Sequence, residues 1–120
     1  MVDEKTRINF GENSAQREEV TGKGRPDLIS PFALMRLGKW TEEGAIKYGV
    51  RNWEDGMPFN RYTQSIMRHL VKWMANDTTE DHLAAIMWNA MGIIHHQELG
   101  ESEKWDDMPK YNSIDKQIGS

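Results

Sequence analysis

Residues 30–49 read SPFALMRLGKWTEEGAIKYG, and this segment indicates the fold class. Serine can cap free backbone amides, and proline at the first helical position loses no hydrogen bond. Small or apolar residues then recur at helical spacing, namely Ala33, Leu37, Trp40 and Gly44. Gly49 follows as a stop signal. The pattern predicts a first helix over about residues 31–48.

Two more helices are predicted beyond this segment. Residues 49–60 contain two glycines, a proline and two asparagines, which is typical of a structured loop, and Trp53 is expected to anchor it. Asn60 is expected to cap a second helix over about residues 61–75. Because no strand-like alternation of four or more residues occurs in 29–99, we predict an all-α fold, a small helical bundle.

The third predicted helix follows a turn and cap at residues 76–79 and runs to about Glu98, before Gly100. Its apolar stripe, expected to face the core, is Leu83, Met87, Ala90 and Ile94. A second stripe on this helix is polar and repeats every seven residues, at His82, Asn89 and His96.

The second helix has two separate faces. Its apolar side is formed by Tyr62, Ile66, Leu70 or His69, and Trp73. Its other side carries the basic residues Arg61, Arg68 and Lys72, spaced seven and four. The stretch from Met57 to Asn76 contains no acidic residue, so the balanced centre of the chain is locally polarised.

The apolar residues are unevenly distributed along the 120 residues, since 33 of 45 lie between Ile29 and Leu99. We therefore expect one domain, with a polar arm at 1–22, a helical part at 23–99 that holds the core and an acidic tail at 100–120. Three helices make a thin bundle. We expect the bundle to be completed in a homo-oligomer, a dimer or a tetramer.

Composition excludes several classes of function. Without cysteine, the chain has no disulfides, thiolate metal sites or cysteine nucleophile. A net charge of −4 argues against stable nucleic-acid binding. No apolar run approaches the length of a membrane span, and the start does not resemble a signal peptide. We expect a cytoplasmic protein without a membrane partner.

Acidic residues cluster at two places, Glu42 and Glu43 on the first helix and Asp77, Glu80 and Asp81 before the third. Helical bundles hold Mg²⁺ or Mn²⁺ with carboxylates from facing helices. Pairing of Glu43 with Lys47 and capping by the later acids remain open as simpler interpretations. Metal ligands beside a basic helix suit a polyphosphate, so we hypothesise a phosphate-ester substrate.

The four histidines do not form a known metal motif. HExxH is absent, and the order Asp81-His82 is the reverse of a His-Asp dipeptide. His69 and His82 are expected to hydrogen-bond inside the site or across the bundle, while His95 and His96 are expected on the helix surface. Trp53 has two interpretations, a core residue or a platform that stacks a base.

Several motifs together resemble a known family: GRPDLI at 24–29, EGA at 43–45, KYG at 47–49, RNW at 51–53, RHL at 68–70, HL at 82–83 and WN at 88–89. Over about residues 23–97 they are similar to the MazZ-type branch of the MazG-like all-α nucleotide pyrophosphohydrolases, a phage-associated family. The resemblance implies hydrolysis of dATP or dGTP to the monophosphate and pyrophosphate with Mg²⁺ or Mn²⁺, in the host cytoplasm if the chain is phage-encoded.

The resemblance also implies roles for individual residues. Catalysis is assigned to Glu43, Lys47 and Arg68. Substrate binding is assigned to Lys23, Arg25, Asn52, Trp53, Lys72 and Asn89. Metal binding is assigned to Glu42, Glu43, Asp77, Glu80 and Asp81. The sequence departs from the motifs of larger relatives, with Ile46 in place of a further glutamate and with Asp77 and Glu80 exchanged in the later acidic motif.

Two alternatives to this function remain. One is a pyrimidine-preferring or house-cleaning dNTP pyrophosphatase of the same all-α group. The other is a catalytically inactive helical adaptor that binds a host protein through its tryptophans and methionines.

Overall fold

The computed structural model describes residues 5–8, 17–111 and 114, with side chains from residue 21 onward. The chain divides into two compact units, Met1–Ser30 and Pro31–Ser120. Most of the predicted arm at 1–22 and the end of the predicted tail lie outside the described residues. The domain boundaries inferred from composition therefore stay a prediction.

The first unit contains a short antiparallel hairpin. Strand β1 (Lys5–Ile8) pairs with β2 (Arg17–Val20), with Lys5 opposite Val20. A single 3₁₀ turn at Pro26–Leu28 follows. The sequence predicts only that this arm is polar. It does not predict the pair of strands.

The second unit is helical, which confirms the all-α prediction for this domain. Its helices are α1 (Pro31–Tyr48), α2 (Phe59–Met74), α3 (His82–Glu98) and the short α4 (Ser102–Trp105). Helix α1 has the predicted bounds, and Gly49 ends it with a φ of 104° that favours glycine. None of the described helices is both long enough and apolar enough to span a membrane.

Two helix starts differ from the sequence prediction. Helix α2 begins at Phe59, so Asn60 lies in the first turn and is not its cap; instead the Asn60 N–H donates to Asp107 Oδ1 at 2.9 Å. Helix α3 begins at His82, and Asp81 caps it by accepting from the Ala84 N–H at 3.1 Å. The hydrogen bond at the start of α2 could not be predicted from the local sequence, because its acceptor, Asp107, lies 47 residues from Asn60.

The core lies between α2 and α3. Its buried side chains are Phe59, Tyr62, Ala84 and Ala85, together with the polar His82, Asn89 and His96. The Tyr62 ring lies against Gly92, where a Cβ would stand 2.5 Å from the ring. The polar stripe of α3 therefore faces α2, and the prediction that the apolar stripe forms the core is wrong in this chain.

The physical reason is that α3 is apolar almost all round, so hydrophobicity did not select one face. Small residues on the polar side, including Ala85 and Gly92, let α2 approach closely. The predicted core stripe is only half-buried at Leu83, Met87 and Ala90. Its last member, Ile94, is 56% exposed.

An apolar strip remains exposed on α2. Its residues follow helical spacing at Met67, Leu70, Val71 and Met74. Trp73 is 51% exposed, so the expectation that it faces the core is wrong. On α1 the predicted inner residues are half-buried, and no described residue of this helix is fully buried. The surface is compatible with the predicted oligomer but does not test it.

Candidate active site

A cleft of about 1020 Å³ lies in the helical unit. Helix α1 contributes Trp40, Glu43 and Lys47 to its wall. These residues are three and four apart, so they share one helical face. The 49–57 loop, α2, the turn at 78–81 and α3 form the remaining walls.

The basic side of the cleft comes from α2. Arg61, Ser65 and Arg68, at positions i, i+4 and i+7, all line it. Lys72 is exposed and lies outside this lining. The basic stripe seen in the sequence therefore reaches the cleft through its first two members.

An aromatic and amide-bearing region lies at another part of the cleft, at Asn52, Trp53, Trp88 and Asn89. The Trp53 ring packs edge-on against His95 with ring centroids 4.7 Å apart, which supports its predicted role as the loop anchor. The Asn89 amide nitrogen donates to the Ala85 carbonyl at 2.7 Å and to Ser65 Oγ at 3.2 Å. Because the amide nitrogen makes these two bonds, the Asn89 amide oxygen can accept a hydrogen bond from a group in the cleft.

Carboxylates reach the cleft from two elements. Glu43 of α1 and Glu80 of the 78–81 turn both line it. Asp81 also lines it, but its carboxylate accepts from the Arg36 guanidinium, with Nε to Oδ2 at 2.8 Å. Hydrogen bonding to Arg36 lowers the pKa of Asp81 below its ordinary value, so this acid is ionised and already engaged.

Asp77 has a different surrounding and does not line the cleft. Its Oδ1 accepts from the Thr79 hydroxyl at 2.6 Å and from the Thr79 backbone N–H at 2.8 Å. Hydrogen bonds from Thr79 lower the pKa of Asp77 to about 2. Glu42 is exposed and also lies outside the cleft lining.

Lys23 and Arg25 belong to the first unit, where both are exposed. The Arg25 guanidinium donates to Asp27 at 2.9 and 2.8 Å. The predicted site residues that line the cleft are Glu43, Lys47, Asn52, Trp53, Arg68, Glu80, Asp81 and Asn89. Their roles, and those of the residues outside the lining, stay predictions.

A histidine and glutamate cluster lies where α2 approaches the start of α3. His69 Nδ1 and His82 Nδ1 are 2.8 Å apart, and Glu80 Oε2 lies 3.8 and 4.0 Å from them. These three residues could hold a metal ion, and no other group of three such ligands is as compact in the part of the chain that the structure describes. The predicted hydrogen bond across the bundle is confirmed.

The sequence interpretation did not place either histidine among the metal ligands. They are 13 residues apart on different helices, so no local spacing signals the pair. Burial chiefly lowers the pKa of His69, which favours the neutral ring that ligates metals. The interpretation also omitted Arg61 from the site, although its position seven residues before Arg68 could have indicated it.

The C-terminal segment supports the loop that carries Trp53. His96 is 1% exposed, so the expectation that it lies on the surface is wrong. Its Nδ1 lies 2.7 Å from Glu101 Oε1, and its Nε2 lies 3.3 Å from the Trp53 carbonyl. The Trp105 ring packs against Gly56 of the same loop. Residues beyond Gly100 thus help to shape one wall of the cleft.

The sequence model of one protein family, described as dATP/dGTP diphosphohydrolase, N-terminal, matches residues 13–107. Neither curated proteins nor solved structures gave a match. The family match spans most of the chain, including every residue that lines the cleft. The chain therefore belongs to the dATP/dGTP diphosphohydrolase family, whose members are nucleoside triphosphate diphosphohydrolases.

Proposed function

We propose that this protein hydrolyses a purine deoxynucleoside triphosphate, dATP or dGTP, to the monophosphate and pyrophosphate with Mg²⁺ or Mn²⁺. The family supports the reaction class. The observation that carries the finer proposal is a cleft with carboxylates, guanidinium groups and an aromatic region on its walls. The resemblance to the MazZ-type branch motivates a role in phage nucleotide-pool control in the host cytoplasm.

The charges in the cleft suit a triphosphate. Glu43 and Glu80 can hold divalent ions, while Arg61 and Arg68 can bind phosphate oxygens. Lys47 lies one helical turn from Glu43, where its ammonium group can reach the same polyphosphate. Cations that absorb the charge of departing pyrophosphate are a usual component of phosphoryl-transfer sites.

The oxygen donors in the cleft fit Mg²⁺ or Mn²⁺. Mg²⁺ is usually bound through one or two carboxylates together with substrate phosphates and water, and Glu43 and Glu80 meet that need. When bound, such an ion neutralises phosphate charge and lowers the pKa of coordinated water. Glu43 is exposed to the cleft, so it can accept the proton of the water that attacks the α-phosphorus.

The nucleoside is assigned to the region around Trp53 and Asn89. An indole ring can stack its face on a purine, whose larger ring system gives more contact than that of a pyrimidine. The Asn89 amide oxygen can accept from an exocyclic amine, a group that adenine and guanine both carry. Lys23 and Arg25 remain candidates for closing over the phosphates, on the resemblance alone.

The proposal includes a homo-oligomer, a dimer or a tetramer. The exposed strip Met67, Leu70, Val71 and Met74 and the exposed Trp73 support it, because monomers rarely expose contiguous apolar surface of this kind. Light scattering would measure it: a mass near the 13.9 kDa of one chain would contradict the proposal.

A substrate panel tests the function. Purified protein is incubated with each dNTP and NTP in Mg²⁺ or Mn²⁺, and the products are resolved by chromatography. We expect dAMP or dGMP together with pyrophosphate. Products mainly from dUTP or dCTP would support the pyrimidine-preferring alternative, and no product at high protein concentration would support the inactive adaptor.

The substitution Glu43→Gln tests the proposed mechanism. It keeps the shape of the side chain but removes the charge and the basic oxygen, so kcat should fall by about 100-fold or more. Glu98→Gln, on the exposed end of α3, is a matched control that should retain activity. Activity of Glu43→Gln within tenfold of the parent, with unchanged circular dichroism, would remove Glu43 from catalysis.

A further inference from the structure

The cluster of His69, Glu80 and His82 has the dimensions of a metal site. The distances among its three ligand atoms are 2.8, 3.8 and 4.0 Å. A point in the plane of these atoms lies about 2.1 Å from each, the usual length of a zinc bond to imidazole nitrogen or carboxylate oxygen. The ligand atoms therefore need to move little to accept one ion, and the proton between the two Nδ1 atoms is released when the ion binds.

A further carboxylate orients the buried histidine. His82 is 2% exposed, and its Nε2 lies 3.3 Å from Asp77 Oδ1. Because a carboxylate accepts, the Nε2–H of His82 donates to it, and Nδ1 then carries the lone pair. Metal-bound histidines commonly donate their second nitrogen to a carboxylate in this way. The pairing thus aims the ligating atom of His82 toward His69 and Glu80.

The cluster can be reached from solvent. A shallow pocket of about 210 Å³ is lined by Asp77, Glu80 and His82. Glu80 is about half exposed and His69 is partly buried. Glu80 also lines the main cleft, so the cluster lies against the wall of the proposed active site. An ion can enter at Glu80 without opening the α2–α3 core.

We propose that His69, Glu80 and His82 bind one divalent transition-metal ion per chain, with Asp77 as the hydrogen-bonded support of His82. Two imidazole nitrogens and one carboxylate favour Zn²⁺, Co²⁺ or Ni²⁺, whereas Mg²⁺ prefers oxygen ligands. The site uses Glu80 Oε2, so the Mg²⁺ or Mn²⁺ proposed to accompany the substrate would meet the other oxygen of the same carboxylate. Binding of an ion at the histidines needs no substrate. The site joins α2 to the turn before α3 and holds the Glu80 carboxylate at the cleft wall.

Metal binding by the folded full-length chain tests the proposal. The chain is stripped with a chelator and titrated with Co²⁺, whose visible absorption reports nitrogen ligation, while equilibrium dialysis with Zn²⁺ reports stoichiometry. We expect one ion per chain, with a rise in Tm on binding. Mg²⁺ in large excess should leave the Co²⁺ spectrum unchanged. No spectral change and no retained Zn²⁺ would overturn the proposal.

Variants assign the ligands. His69→Gln and Glu80→Gln should each weaken Co²⁺ binding by about 100-fold or more, and Asp77→Asn by about tenfold. His95→Gln removes an imidazole from α3 outside the cluster and should bind as the parent does. The side chains of His69 and Glu80 are not fully buried, so these two variants should keep the circular dichroism of the parent. Unchanged Co²⁺ affinity in His69→Gln and Glu80→Gln would place the ion elsewhere and refute the site.

Discussion

Each end of α3 carries a buried histidine that is paired with a carboxylate, but the two histidines have different further partners. His82 and His96 are both buried, and each is paired with a carboxylate five residues away, Asp77 and Glu101 respectively. The second nitrogen of His82 faces the nitrogen of His69, with Glu80 nearby. The second nitrogen of His96 faces the backbone carbonyl of Trp53.

This difference shows that the group opposite a buried histidine decides its role. Two facing imidazole nitrogens can share a proton or bind a metal ion. A carbonyl can only accept, so Nε2 of His96 must donate to it. At the start of α3, His82 forms a candidate metal site with His69 and Glu80. Near the end of α3, His96 connects the helix to the loop that carries Trp53.

Among the variants considered, removal of the His96 side chain should lower the free energy of unfolding most. His96→Ala leaves a cavity beside Trp105 and removes bonds to Glu101 and the Trp53 carbonyl, so the free energy of unfolding should fall by about 3 kcal/mol. Urea unfolding measures it. Folded His96→Ala should still bind Co²⁺, and the variant should raise KM for nucleotide more than it lowers kcat. A loss below about 1 kcal/mol would contradict the connecting role.

Two glycines near His96 form a matched pair, Gly56 in the loop that carries Trp53 and Gly100 after α3. Gly56 and Gly100 have φ of 80° and 71°, but a Cβ at Gly56 would lie 2.7 Å from Trp105 Nε1, whereas Gly100 has open space. Gly56→Ala should cost about 2 to 3 kcal/mol, from backbone strain and overpacking. Gly100→Ala should cost about 1 kcal/mol, from strain alone. Equal losses in thermal unfolding would show that Trp105 does not pack tightly on the loop.

The smallest effect is expected at the His82 end. Asp81→Ala removes the cap of α3 and the partner of Arg36, and it should cost about 1 kcal/mol at pH 7. The folded-state pKa of Asp81 is lowered from 3.8, so its contribution is complete above that value and is lost as pH falls through the folded pKa. The difference between parent and variant should therefore shrink in acid. An unchanged difference under strongly acidic conditions would exclude an ionic contribution from Asp81.

Local signals predicted much of the fold. Ser30-Pro31 and Gly49 placed both ends of α1 correctly, and the glycine-rich loop with Trp53 lies where predicted. These signals act among residues close in sequence, since capping and helical periodicity depend on neighbours within about four positions. Helix existence and length were therefore accessible without a structure.

The buried face of α3 was not accessible in this way. A helix that is apolar almost all round has no unique inner side, and the choice depended on the shape of its neighbour. Tyr62 requires Gly92 beneath its ring, which turns His82, Asn89 and His96 inward. The start of α2 was misplaced for a similar reason, since its support comes from Asp107.

The candidate site was predictable in part. Glu43 and Arg68 stand out as charged residues on helices with apolar patterns, and the family resemblance assigned roles to them and to Lys47. The bond of Arg36 to Asp81 joins residues 45 apart, and the pair of His69 and His82 joins two helices. By itself the sequence determined which segments are helical, the family resemblance and the candidate charges. Only the tertiary structure decided which side chains meet, because such contacts depend on how the helices pack rather than on any local spacing.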